Sequence, residues 1–149
     1  MIDPLLIACP HCAALNRMPA ARLQDAGHCG KCKKALFTGT PIHLTGRNFS
    51  THAERGGIPL LVDFWAPWCG PCRSMAPAFE AAAASLEPRF RLGKVNTEEE
   101  SGLAARFGIR SIPTLILIHE GREIARHSGA IGSHDIQHWA LANLGHSAP

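Results

Sequence analysis

The sequence predicts an α/β fold in which a mixed central sheet carries helices on both faces, preceded by a small cysteine-rich module. Three observations support this. Of 149 residues, 46% are hydrophobic and 18% charged, enough apolar material for one buried core plus a small appended unit. From Phe49 onward, strand-like and helix-like patterns alternate in the order αβαβαββα, and a parallel first half followed by a hairpin produces a mixed sheet. Before that, Cys9, Cys12, Cys29 and Cys32 form two C-x-x-C pairs in a segment with little helical or strand periodicity.

The boundaries follow from composition. Residues 1–38 are the cysteine module, which could not build an apolar core by itself and needs a staple. Residues 39–48, rich in Gly, Thr, Pro and Asn, read as a connector with room for one short strand, and residues 49–149 form the main domain. Leu60 to Ala66 is a nearly continuous apolar run, which suits a strand buried on both faces. Pro71 to Leu86 carries Cys72, Met75, Ala76, Phe79, Ala83 and Leu86 at helical spacing, with Pro77 inside as a source of bending. Phe90 to Asn96 reads as the next strand. Thr97 and Glu100 have the spacing of a capping box for a helix that places Leu103 and Phe107 on one face and stops at Gly108. Pro113 to Ile118 and Arg122 to Ser128 flank Glu120-Gly121 as an antiparallel hairpin. Ser133 reads as the N-cap of a last helix with Ile136, Trp139, Ala140 and Leu144 on its buried face and Gly145 as its stop.

Charge and hydropathy exclude several classes of function. Lys plus Arg exceed Asp plus Glu by only +3, too little for the basic stripe that marks a nucleic-acid binder. No stretch approaches the roughly 20 apolar residues that span a bilayer. The start has Asp3 in place of a basic n-region and only a short apolar run, Leu5 to Ala8, so the reading places the protein in the cytoplasm. Six cysteines in that reducing compartment call for a metal or a redox role.

Cys9-x2-Cys12 and Cys29-x2-Cys32, with sixteen residues between the pairs, have the spacing of a structural zinc site in which four thiolates close a tetrahedral shell around one Zn²⁺. The neighbouring His11 and His28 would break the symmetric pair spacing if either replaced a cysteine. Zinc with four thiolates adds a net −2, so Arg17, Arg22, Lys31, Lys33 and Lys34 read as a solvated face offsetting the anionic cluster. Among the remaining histidines, only His134 and His138 stand at i,i+4, on a solvated helix face without a third ligand. With a metal staple of its own, the module reads as having a source of stability separate from that of the main domain.

The third pair, Cys69-Gly70-Pro71-Cys72, calls for different chemistry. It lies between the apolar strand and the amphipathic helix, where free N–H groups and the positive end of the helix dipole favour a thiolate. Thiolates, not thiols, attack disulfides, so Cys69 is the candidate nucleophile. Cys72, one turn on, is within reach to resolve a mixed disulfide and leave an internal Cys69–Cys72 disulfide. Gly70 permits a tight entry and Pro71 suits the first helical turn. Asp63, in the middle of a buried strand, should have a raised pKa and can accept a proton from Cys72; Lys94 on the neighbouring strand can approach it and partly offset that shift.

Trp65-Ala66-Pro67-Trp68-Cys69-Gly70-Pro71-Cys72-Arg73, with Asp63-Phe64 before it, Pro77 after it, Ile112-Pro113-Thr114 and Gly129, resembles the thioredoxin family over roughly residues 47–145. With the N-terminal pairs included, the chain resembles the zinc-containing second type of bacterial thioredoxin. That resemblance implies a thioredoxin fold behind a zinc ribbon, and a cis bond before Pro113. It also implies an apolar client platform of Trp68, Ile112, Gly129 and Ala130 around Cys69. The implied activity is reduction of client-protein disulfides, with regeneration by an NADPH-dependent flavoprotein reductase and no tightly bound organic cofactor. A competing reading makes the zinc module primary, as a client-binding or metal-releasing redox sensor, since thiolate ligands can be oxidised.

Overall fold

A computed structural model describes residues 3–144. Met1, Gly145 and His146 lie outside that range. Two sheets are present among the described residues: a hairpin of β1 (Leu5–Ala8) and β2 (Leu15–Met18), and a five-stranded sheet in the order β3-β5-β4-β6-β7. In the large sheet, β3 (Ile42–His43), β4 (Leu60–Trp65) and β5 (Arg91–Asn96) run parallel, while β6 (Thr114–His119) is antiparallel to both β4 and β7 (Arg122–Ser128).

β4 lies at the centre because its residues are apolar on both sides. Leu60, Val62 and Phe64 pack with Phe49, Ala53 and Ile116 on one face, which Leu103 and Phe107 of the α2 region (α2, Ser101–Arg106) also cover. Leu61 packs on the other face with Met75, Phe79 and Ala83 of α1 (Gly70–Leu86) and with Ile136 and Ala140 of α3 (Ser133–Leu144). The helix anticipated before β4 is a single π-helical turn, Thr51–Arg55. α1 runs continuously through Pro77.

Two local expectations are corrected. The Thr97 hydroxyl donates to the Trp65 carbonyl at 3.0 Å, and the Glu100 carboxylate accepts from Gly46 N–H at 2.9 Å. Thr97 thus ties α2's approach to β4 and Glu100 ties it to the turn after β3, and no capping box forms. The Ser133 hydroxyl likewise accepts from the Gln137 side-chain amide at 3.0 Å.

The N-terminal segment holds more regular structure than its pattern showed, because four-residue strands are too short to display a period. Leu5, Ile7, Met18, Leu23 and Leu36 are buried together with Cys9 and Cys29, and Ile58 of the main domain completes the same cluster. The module therefore shares part of its apolar packing with the main domain. Gly57 N–H donates to the Leu6 carbonyl at 2.7 Å, and a Cβ on Gly57 would stand 3.1 Å from Leu6 N, so glycine allows the two backbones to meet.

Arg91 is the main polar tie between the two parts. Its side chain is 3% exposed, and Nη2 donates to the carbonyls of Ala8 and Leu36, both at 2.9 Å. Nη1 lies 3.5 Å from the buried carboxylate of Glu87, the other oxygen of which accepts from Gly39 N–H, and the guanidinium covers the Phe37 ring at 4.4 Å. Ala8 immediately precedes the first cysteine pair and Leu36 follows the second, so one side chain of β5 anchors both arms of the module. Arg91→Ala is expected to cost about 3–5 kcal/mol because it leaves a buried carboxylate and two carbonyls without their partner. Urea denaturation measures that loss; a change below 1 kcal/mol would show that water replaces the guanidinium.

Candidate active site and four-cysteine cluster

The end of β4 determines where the reactive pair sits. Leaving the sheet at Trp65, the chain turns through Ala66 and enters α1, with Cys69 as its N-cap. Cys69 Sγ accepts the Cys72 N–H at 3.2 Å, which satisfies one of the free amide groups of a helix N-terminus with sulfur in place of the usual oxygen. Cys69 and Cys72 are disulfide-bonded with Cα atoms 5.3 Å apart, and are 5% and 2% exposed. Gly70 and Pro71 occupy the first positions of α1.

Antiparallel pairing of β6 with β4 sets Thr114 opposite Phe64, so the residues just before β6 arrive beside the pair. The Ile112–Pro113 bond is cis, and Ile112 O lies 3.8 Å from Cys69 Sγ. Gly129, at φ +108°, donates its N–H to Pro113 O at 2.9 Å, a backbone conformation that favours glycine. Trp68 is 64% exposed and shares a shallow cleft with Ile112. Ala130 is exposed next to Gly129. The structure thus gathers Trp68, Ile112 and Pro113 around Cys69 and ties Gly129 to Pro113.

Asp63 is fully buried on the strand face that α1 covers, and neither oxygen has a hydrogen-bond partner among the described residues. It sits directly opposite Lys94 in the register of β4 and β5, while the Lys94 ammonium covers the Trp65 ring at 4.5 Å. Burial pushes the Asp63 carboxyl up to about 7, against the opposing pull of the Lys94 charge.

The four remaining cysteines converge at the opposite end of β4. Their sulfurs all lie within 4.8 Å of one another, with Cys9 to Cys32 and Cys12 to Cys29 both at 3.6 Å. Four thiolates at a Zn–S distance of about 2.3 Å define a tetrahedron with edges of about 3.8 Å, so this donor set can coordinate a metal ion. His11 and His28 are not part of the cluster. The two cysteine pairs share one backbone fold. Cys9 N–H donates to Ala14 O and Cys29 N–H to Lys34 O, both at 2.8 Å, and Ala13 and Lys33 both adopt positive φ.

Asn16 is a participant that the sequence reading missed. Its amide nitrogen lies 3.6 Å from Cys29 Sγ and its oxygen accepts from Gly30 N–H at 2.9 Å. The Cys32 backbone N–H, followed by Asn16 and Lys31 N–H, holds the Cys29 thiol below the ordinary thiol range. Nothing in the spacing of the cysteines signals this asparagine, which reaches the second pair only through the β1–β2 hairpin.

The Asp63 carboxyl yields a pH test. Its folded value of about 7 exceeds the ordinary 3.8, so the folded state is favoured most below about pH 4. Stability is then lost as pH rises through 7, by an amount on the order of 4 kcal/mol. Oxidised Asp63→Asn should therefore be more stable than the native protein at pH 8, with the gap closing toward pH 4. Urea denaturation across that range measures it, and a constant gap would mean that the carboxyl does not titrate there.

Comparison with known proteins agrees with this geometry. Residues 40–142 match the thioredoxin family model, and residues 8–34 match a model described as thioredoxin 2, N-terminal. The chain is 42% identical to thioredoxin C-3 of Corynebacterium nephridii over 135 residues, covering 91% of this chain and 92% of that protein. It is 39% identical to a thioredoxin of Haemophilus influenzae over 60% of this chain and 84% of that one. A mutant thioredoxin of Halobacterium salinarum has a similar fold, with a TM-score of 0.64 at 24% identity over 72% of this chain and 93% of that one. Dithiol–disulfide exchange through the Cys69–Cys72 pair, the activity of a protein-disulfide oxidoreductase, follows from the match and the site together. With its fold, its redox pair and its N-terminal cysteine cluster accounted for, the chain belongs to the thioredoxin family.

Proposed function

We propose that the protein reduces disulfides of client proteins in the cytoplasm, with Cys69 as the attacking thiol, Cys72 as the resolving thiol and one structural Zn²⁺ held by Cys9, Cys12, Cys29 and Cys32. The observation that carries this is the Cys69 sulfur at the N-cap of α1, accepting a backbone N–H. A negative charge on that sulfur is stabilised by the helix end before any client arrives. Gly70 and Pro71 shape the entry to α1, and the client lies across Trp68, Ile112, Pro113, Gly129 and Ala130, pairing by backbone with Ile112.

In the reaction, Cys69 thiolate attacks one sulfur of the client disulfide; that S–S bond breaks and the first client thiolate leaves, taking a proton from solvent. Asp63 accepts the Cys72 proton, with Lys94 moderating its basicity, and Cys72 then attacks Cys69 Sγ. The bond between Cys69 and the client breaks and the second client thiolate departs. Two electrons have passed to the client, and the protein retains the Cys69–Cys72 disulfide. A carboxyl titrating near neutral pH, as burial makes Asp63, suits such a transfer. Family membership supports an NADPH-dependent flavoprotein reductase as the partner that restores the dithiol.

Cys72→Ser is expected to accumulate mixed disulfides with clients, since Cys69 still attacks and nothing releases the adduct. Cys69→Ser should trap almost none. Non-reducing electrophoresis distinguishes them, and equal trapping by both variants would overturn the assignment of roles.

A tetrahedral thiolate site suits zinc, which closes such shells in small modules. Elemental analysis should give one zinc per chain, lost in Cys29→Ser/Cys32→Ser. Chelation is expected to raise amide exchange in residues 5–36 first. Retention of full zinc by the double variant would refute this ligand set.

A further inference from the structure

We propose that Arg110 is a specificity-determining residue that favours client segments with an acidic side chain two positions from the attacked cysteine. The inference rests on the proposed attack by Cys69. Arg110 is exposed and makes no ion pair or hydrogen bond among the described residues. It lines the cleft shared by Trp68 and Ile112, with Ala104 and Ile109 as apolar wall and no carboxylate in the lining.

No carboxylate of the nearby acidic run, Glu98 to Glu100, forms an ion pair with it among the described residues. Glu99 lies 3.8 Å from His43, and Glu100 is held by Gly46 N–H. Arg73 and Lys94 do not line the cleft: Arg73 donates to the Pro67 carbonyl at 3.1 Å and the Lys94 ammonium covers the Trp65 ring. The cleft beside the reactive sulfur therefore presents the Arg110 guanidinium, without an ion-pair partner among the described residues, next to an apolar wall.

Proximity to Ile112 converts this charge into a position. Ile112 O lies beside Cys69 Sγ, so a client cysteine positioned for attack sits next to Ile112. Arg110 precedes Ile112 by two residues. Residues 110–113 precede β6, which starts at Thr114, so reach sets the position: a client segment seated at Ile112 brings a residue about two positions from its cysteine within range of the long Arg110 side chain. A carboxylate there meets the guanidinium at a partly shielded rim, and such complementarity selects among partners.

The test uses pre-reduced, full-length protein in single turnover against symmetric disulfide-linked peptide dimers. The dimers differ only in Glu or Lys placed two residues before or after the cysteine. Each turnover converts one protein dithiol to the internal disulfide and releases two peptide thiols, which are counted by chromatography. The readout is the ratio of Glu-peptide to Lys-peptide rates on one protein sample, so any loss of active protein cancels. At one of the two positions the native ratio should be about fivefold, the upper range for an exposed charge pair, and should fall toward one in high salt. Arg110→Gln should bring the ratio to about one, Arg110→Glu should invert it, and Arg110→Lys should retain it in part. A native ratio of one at both positions, or an unchanged ratio in Arg110→Gln, overturns the role of Arg110 while leaving Cys69 as the attacking thiol. Failure of the native protein to reduce any peptide defeats both.

Discussion

The constraint on which the rest of the structure depends is the burial of β4 on both faces. Leu60, Leu61, Val62 and Phe64 have no exposed surface, and each apolar side chain of this size contributes about 1.5–3 kcal/mol when removed from water. A strand with two apolar faces has to lie inside a sheet that is covered on both sides. It must therefore have a partner on either edge, β5 in parallel and β6 in antiparallel register. The chain can leave such a strand only at its end, so the turn into α1 and the N-cap at Cys69 fall at the edge of the sheet. The direction of β6 then brings Ile112 and Pro113 to the same edge.

Burial also accounts for the polar groups left unmatched near the redox pair. Both oxygens of Asp63 and the indole nitrogen of Trp65 lack a hydrogen-bond partner among the described residues. Unpaired buried groups reduce stability and are uncommon in cores. Here they lie on the strand that leads into Cys69, and burial there raises the Asp63 carboxyl to about 7. The same dry environment destabilises the charged carboxylate and raises its proton affinity.

The N-terminal module depends on the other end of β4. Ile58, just before the strand, completes the module's apolar cluster, and Arg91, opposite Leu60 on β5, holds the carbonyls of Ala8 and Leu36. The four-cysteine cluster and Cys69 are therefore separated by the length of a six-residue strand, about 20 Å. Thiols of the cluster have no direct approach to the redox pair. This arrangement favours a structural role for the module over one in which its cysteines take part in exchange.

What the sequence determined by itself was whatever depends on short-range pattern. The apolar run from Leu60 to Ala66, the helical spacing from Cys72 to Leu86 and the hairpin about Glu120-Gly121 are visible because each element's burial repeats with its own period. The pairing of Cys69 with Cys72 and the grouping of the other four cysteines were legible for the same reason, as both rest on close spacing. Tertiary structure alone decided the contacts between distant residues. Arg91 shows no signal of its role because its partners lie 83 and 55 residues away. Asn16 reaches Cys29 only once the hairpin has closed, and the Thr97 and Glu100 side chains find Trp65 and Gly46 in place of the local helix end. In each case a polar side chain had both a local and a distant partner open to it. Closure of the hairpin for Asn16, and the packing of the large sheet for the others, brought the distant one near, and spacing along the chain carries no record of that choice.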